Sequence, residues 1–222
     1  MKLFYSPASP YARKVRVVAI ELGLGDRLAL ETTDVSPGKP NRAYAETRNP
    51  LRKIPALEAD DGSTIYDSTV ICEYLDQLAG GGMLFPREPS LRWRVLTNHA
   101  LAQGMCDAAI LFRYEVAIRP EPQRWSTWLE DQWDRIESGL KWFDQNSAEL
   151  SEPLNVAHLA LGCLLGYIEF RMPDRPWRTR YPHVREWFER IERRPSFQQT
   201  RPAAGPAPGA GVAPVAAVGG TK

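Results

Sequence analysis

The chain has 222 residues, 43% hydrophobic and 10% aromatic, which is enough apolar mass for one large domain or two small ones. Its 28 Lys and Arg against 27 Asp and Glu leave a formal charge of +1, a balance that gives no electrostatic case for nucleic acid. No apolar run reaches membrane-spanning length, and the opening MKLFYSPASP meets Ser and Pro before a leader-like stretch can form. Cys72, Cys106 and Cys163 are odd in number, far apart and set in apolar helical patterns. They read as buried thiols of a reducing compartment, not as a disulfide framework or a metal site. The expectation is a soluble cytoplasmic globular protein.

Residues 2–5 form a short apolar strand closed by Ser6-Pro7. From Pro10, Val15, Val18, Ala19 and Leu22 recur at helical spacing until Gly23 supplies a stop. Residues 28–35 read as a second strand, followed by the loop Ser36-Pro37-Gly38 and a short helix over 42–47. Two short strands, 54–59 and 64–66, flank Asp60-Asp61-Gly62, a hairpin-turn signal. Val70, Ile71, Tyr74, Leu75 and Leu78 then repeat at helical spacing. The order βαβαββα predicts an α/β unit over 1–80: a small mixed sheet, parallel at first and antiparallel at the hairpin, with helices on its faces. Gly80-Gly81-Gly82 opens a linker over 81–89. Helical patterns over 91–118, 122–143, 155–170 and 183–193 follow, the second opened by Pro122, and make 90–201 an all-helical domain. Residues 202–222, almost entirely Ala, Gly, Pro and Val, read as a disordered tail.

Chemistry concentrates at the first turn. Ser9 suits an N-cap and Pro10 the first helical position, so the first strand delivers Ser9 to the positive end of a helix. That end favours an anion, and a bound thiol there is stabilised as thiolate, each unit of pKa lowering being worth about 1.4 kcal/mol. Read from these residues alone, Ser9 is more simply a plain helix cap. Asn49-Pro50-Leu51-Arg52-Lys53-Ile54-Pro55 brings a proline to a strand entry, where a cis Ile54-Pro55 bond would turn the Ile54 backbone outward toward an extended peptide. Tyr66-Asp67-Ser68-Thr69 opens a helix that Asp67 or Ser68 can cap, and its following N–H groups can hold a carboxylate while Asp67 meets an ammonium. The three features together suit a small anionic peptide that carries a thiol.

These motifs resemble the cytosolic glutathione S-transferases, over roughly residues 1–202, and more closely the serine-type members. The resemblance implies a thioredoxin-like N-terminal domain followed by an all-α domain. It gives Ser9 the thiolate role, Ile54 and Pro55 the cysteinyl backbone contacts, Asp67 and Ser68 the γ-glutamyl clamp, and Lys53 the glycyl carboxylate. Ser6 ranks below Ser9. Leu154-Asn155-Val156-Ala157-His158 resembles the family's buried helix, with His158 where an Asp usually completes the cap, so a weaker cap is expected. Gly166-Tyr167-Ile168-Glu169-Phe170-Arg171 and Arg194-Pro195-Ser196-Phe197 look like the bacterial branch of YibF-type proteins.

For the electrophile the expected walls are Tyr11, Gln103, Asp107 and Trp177, with Phe112 or Tyr114 beside them and Cys106 assigned to packing. Trp93, Trp125, Trp128, Trp133, Trp142 and Trp187 are assigned to helix packing, and His99, His158 and His183 receive no catalytic role. The family implies glutathione as co-substrate, no metal, a small hydrophobic electrophile, a homodimer, and neither nucleic acid nor membrane as partner. The other readings are a non-catalytic binding or docking protein, a glutathione-dependent isomerase, and a thiol reductase. The last is disfavoured because no cysteine precedes Cys72.

Overall fold

A computed structural model of the chain describes residues 1–151 and 153–203. Strand β1, Lys2–Tyr5, lies at the centre of the sheet. It pairs in parallel with β2, Ala29–Thr32, and antiparallel with β3, Ala56–Glu58, which pairs antiparallel with β4, Thr64–Ile65. Among the described residues the order is β2-β1-β3-β4. Because β1 has four residues it can template only four of its neighbour, so β2 is shorter than the expected 28–35. The side-chain period of two then sorts the core. Leu3 and Leu57 point to the face covered by α1, Pro10–Glu21, and α3, Ser68–Leu78, where they meet Val15, Val18, Ile71 and Leu75. Phe4 and Ala56 point the other way, onto Tyr44 of α2, Arg42–Thr47, with the Phe4 and Tyr44 rings 5.9 Å apart. This is a thioredoxin-like unit.

The α3 helix ends where the Asp76 carboxylate, fully buried, accepts from the backbone N–H groups of Gly82 (2.8 Å) and Leu84 (2.7 Å). The rest of the described chain is helical: α4, Pro89–Ala117; α5, Ser126–Gln145; α6, Val156–Arg171; α7, Pro182–Ile191; and α8, Pro195–Gln199. Pro122 does not open α5. It sits in a 3₁₀ turn, Glu121–Gln123, after which Arg124 is extended and Trp125 N–H donates to the Glu115 carboxylate (2.9 Å), so α5 starts at Ser126. Helix α6 is buried almost all round, packed against both α4 and α1. Asn155 still caps it, its Oδ1 accepting from Ala157 N (3.0 Å) and His158 N (3.3 Å), while His158 Nε2 turns to the Glu149 carbonyl (2.7 Å).

Cys72, Cys106 and Cys163 are free and buried. Trp133 and Trp187 are core residues, but Trp93 and Trp125 are mostly exposed, against expectation, Trp125 stacking on Trp128. Among the described residues no helix is long and apolar enough to cross a membrane. Of the expected tail, 204–222 lie outside the described residues; Ala203 N–H donates to the Pro7 carbonyl (3.3 Å).

Candidate functional site

Two helix N-termini and one irregular strand entry converge on a cavity of about 920 Å³, a volume suited to a small ligand. At the start of α1, Ser9 has φ −80° and ψ 122°, and its Oγ accepts from Ala12 N at 3.2 Å. The cap uses an oxygen lone pair and leaves the hydroxyl proton to be donated elsewhere. The first turn of α1 holds no acidic side chain to neutralise the helix terminus. Ser6 also lines the cavity, but its Oγ accepts only a long bond from Ala8 N (3.4 Å), while its carbonyl accepts from Ser9 N (3.0 Å).

The strand entry is held from behind. Asn49, buried, donates through Nδ2 to the Lys53 carbonyl (2.9 Å) and accepts from Leu51 N (3.0 Å). Tyr44 O–H donates to the same carbonyl (2.9 Å). Burial, partly opposed by Arg48, pushes the Tyr44 phenol up to about 12, so it keeps the proton it donates at neutral pH. Arg52 takes a left-handed φ of 55°, which a side-chain-bearing residue adopts only when its surroundings dictate it. The Ile54-Pro55 bond is cis, as expected, and the ladder starts at Ala56, so Ile54 and Pro55 stand outside it in the cavity wall with Lys53. At the start of α3, Asp67 Oδ1 accepts from Thr69 N (2.9 Å), with Ser68 buried behind it, and both line the cavity. The Tyr66-Asp67 bond is also cis, which the sequence did not announce.

The opposite wall comes from the helical domain. Tyr11 O–H donates to Asp107 Oδ1 (2.5 Å), joining α1 to α4 across the cavity. Burial and the neighbouring Cys106 and Asp107 hold its phenol well above the usual range, so Tyr11 remains a neutral donor. Gln103 lines the same wall and accepts from the buried Lys14 ammonium (2.8 Å). Trp177 does not belong to this wall. It is 2% exposed, edge-on to Phe188 in the core of the helical domain, because the segment after α6 tucks its indole inward. Phe112 likewise turns away to pack against Trp133, whereas Tyr114 lines the cavity. Cys106 packs behind Tyr11, where burial pushes its thiol up out of the usual range.

Sequence reasoning missed the remainder of the wall. Gln103, Asp107, Ile110, Tyr114 and Ala117 form one face of α4, so extending the expected 103, 107 and 114 spacing by whole turns would have found Ile110 and Ala117 as well. Arg113 beside that face, and Tyr167 and Arg171 from α6, carry no such signal. Among the described residues no group of three or more His, Cys, Asp or Glu is placed to hold a metal ion.

Residues 3–82 match the family model described as the glutathione S-transferase N-terminal domain, and 126–190 that of the glutathione S-transferase C-terminal domain. A glutathione transferase family member from Pseudomonas fluorescens Pf-5, solved with bound glutathione, is 45% identical, with a TM-score of 0.88 over 91% of this chain and 99% of that one. A glutathione S-transferase from Methylobacillus flagellatus KT, also solved with glutathione, is 37% identical, with a TM-score of 0.79 over 91% and 99% of the two chains. The uncharacterized GST-like protein YibF of Escherichia coli K12 is 30% identical over 91% of this chain and 98% of its own length.

Proposed function

The chain belongs to the glutathione S-transferase family, and from that premise we propose that it binds glutathione, holds its thiol as thiolate through Ser9, and transfers it to a small electrophile. The observation that carries this reading is the Ser9 hydroxyl. It caps α1 as an acceptor, keeps its proton available, and lines the same cavity as Ile54, Pro55 and Asp67. A thiolate set there receives an O–H hydrogen bond and the field of the helix terminus, both of which favour the charged sulfur. Ile54 backbone groups meet the cysteinyl unit, Lys53 the glycyl carboxylate, and Asp67 with the α3 terminus at Ser68 the γ-glutamyl ammonium and carboxylate.

Catalysis then consists of stabilising the thiolate and positioning it against the electrophile held over Tyr11, Gln103 and Asp107. No side chain of the site is required to abstract a proton in the transition state. The proposal includes a cytoplasmic homodimer, with neither nucleic acid nor membrane as partner, and a boundary between the domains over 81–89.

The test is a titration of the bound glutathione thiol by thiolate absorbance, in the wild type and in Ser9→Ala. The expected result is a thiol pKa well below that of free glutathione in the wild type, returning toward the free value in the variant, with turnover falling in parallel. An unshifted thiol on a protein that does bind glutathione would leave a binding module and refute the transferase reading.

A further inference from the structure

Resting on the transferase reading, we propose that the electrophile this protein accepts carries a carboxylate, which docks on Arg113 and Arg171 while an apolar body lies along α4. The cavity is lined by five cationic side chains, Lys39, Arg52, Lys53, Arg113 and Arg171, against two carboxylates, Asp67 and Asp107, in a chain whose formal charge is only +1. Lys39, Arg52 and Lys53 stand on the strand-entry side, where glutathione's own carboxylates are expected. Arg113 and Arg171 stand on the α4–α6 wall, which that peptide leaves to its reaction partner.

The two guanidiniums differ from those that follow α6 in the chain. Arg175 is bound to Glu130, Arg178 to Glu169 and Arg180 to Glu137, so the arginines that follow α6 are each matched with an acid. Among the described residues neither Arg113 nor Arg171 forms a hydrogen bond or ion pair; the Arg171 guanidinium lies over the Phe170 ring. The carboxylate that α4 and α6 contribute to the cavity lining, Asp107, already accepts from Tyr11. Burial and then the field of Arg113 lower the Arg171 pKa, and both guanidiniums act on the buried Tyr167 between these helices. Two half-buried like charges facing one cavity repel, and an anion placed between them replaces repulsion with two charge-assisted hydrogen bonds.

The apolar half of the ligand is equally specified. Leu111, Tyr114 and Ile118 are large side chains left 44%, 38% and 45% exposed, all lining this cavity beside Ile110. A flat or aliphatic body fits that strip with its anionic end at the arginines and its electrophilic carbon toward Ser9. The glutathione sulfur attacks that carbon, the C–S bond forms, and the leaving group departs with its bonding pair; the thiol proton has already gone to solvent.

The experiment compares binding, by calorimetry on the full chain, of three ligands: glutathione, S-(carboxynitrophenyl)glutathione and its carbamoyl counterpart, which differ at the distal group only by the charge. The expected result is about tenfold tighter binding of the carboxylate conjugate than of the amide, a preference that shrinks severalfold in Arg113→Gln and in Arg171→Gln and vanishes in the double variant. Equal binding of the two conjugates by wild type, or a preference that survives the double variant, overturns the assignment while glutathione binding leaves the transferase reading standing. If glutathione itself does not bind, the transferase reading fails and this inference falls with it.

Discussion

Ser9 performs two tasks with one hydroxyl, and substitution separates them. Its lone pair closes the N–H of Ala12, a cap whose loss to Ala costs about 1 kcal/mol, whereas Gly at an N-cap costs only a few tenths. Ser9→Ala and Ser9→Gly are therefore expected to raise the bound thiol pKa equally, while only Ser9→Ala shifts the urea midpoint appreciably. Unequal thiol shifts would mean that the helix end, not the hydroxyl, stabilises the sulfur. Ser9, Asp67 and Asn155 were all legible in the sequence because an N-cap is decided within three residues of chain. Asn49 and Tyr44 were not recognised as supports of the Lys53 carbonyl, since their hydrogen bonds exist only once the 44–53 segment has folded back.

Helices meet where glycine removes a side chain. A Cβ on Gly162 of α6 would lie 2.7 Å from Cε1 and Cζ of Phe197 in α8. That ring is 1% exposed, lies under the Arg13 guanidinium, and its backbone carbonyl accepts from Arg13 Nη2 (3.2 Å), so it has little room to yield. Alanine gains about 1 kcal/mol of helix propensity, but overpacking costs about 1–3 kcal/mol. Gly162→Ala is expected to be destabilising overall, by up to about 2 kcal/mol in urea unfolding. Gly104 of α4 has nothing within 4 Å of its would-be Cβ, so Gly104→Ala should stabilise by about 0.5–1 kcal/mol. The same sign for both variants would refute the packing argument. Element ends also show where sequence runs out. Helix α7 opens at Pro182 with no cap from Tyr181; Asp144, in α5, accepts from His183 N (2.8 Å) and Val184 N (3.2 Å).

The two domains are joined by groups buried between them. Lys14 of α1, 2% exposed, reaches across to His99 Nε2 (3.0 Å) and Gln103 Oε1 (2.8 Å) of α4. Burial, followed by the Lys14 ammonium, drives His99 from its ordinary 6.5 down to about 3. In the unfolded chain His99 takes up a proton below pH 6.5, and in the folded protein it does not until about pH 3. Protons therefore favour the unfolded state throughout that window, and stability falls as pH drops, by up to about 1.4 kcal/mol per unit from this one group. Urea midpoints at pH 7, 6 and 5 should decline in the wild type, and His99→Gln, which keeps an acceptor for Lys14, should remove one proton's share of the slope. An unchanged slope would show that His99 titrates in the fold as it does in the open chain. At the other end of α1, Glu21 accepts from Arg194 (2.8 and 2.6 Å) and Ser196 (2.5 Å), which ties α8 to the first domain. Burial works against the Glu21 charge, but these bonds outweigh it and hold the carboxyl below its usual range.

The sequence by itself determined what depends on neighbouring residues: the strand and helix order of the first domain, the hairpin at Asp60-Asp61-Gly62, the caps at Ser9 and Asp67, and the Ile54-Pro55 entry to β3. Hydrophobic period and capping chemistry act over a few residues and survive in a one-dimensional pattern. Tertiary structure alone decided which far-apart groups share a wall. It turned Trp177 inward and brought Arg113 and Arg171 together from two helices. It also ended β2 where β1 ran out of partners. Where a side chain points depends on the packing of its whole helix against others, and charges that repel across a cavity leave no periodic trace in the chain.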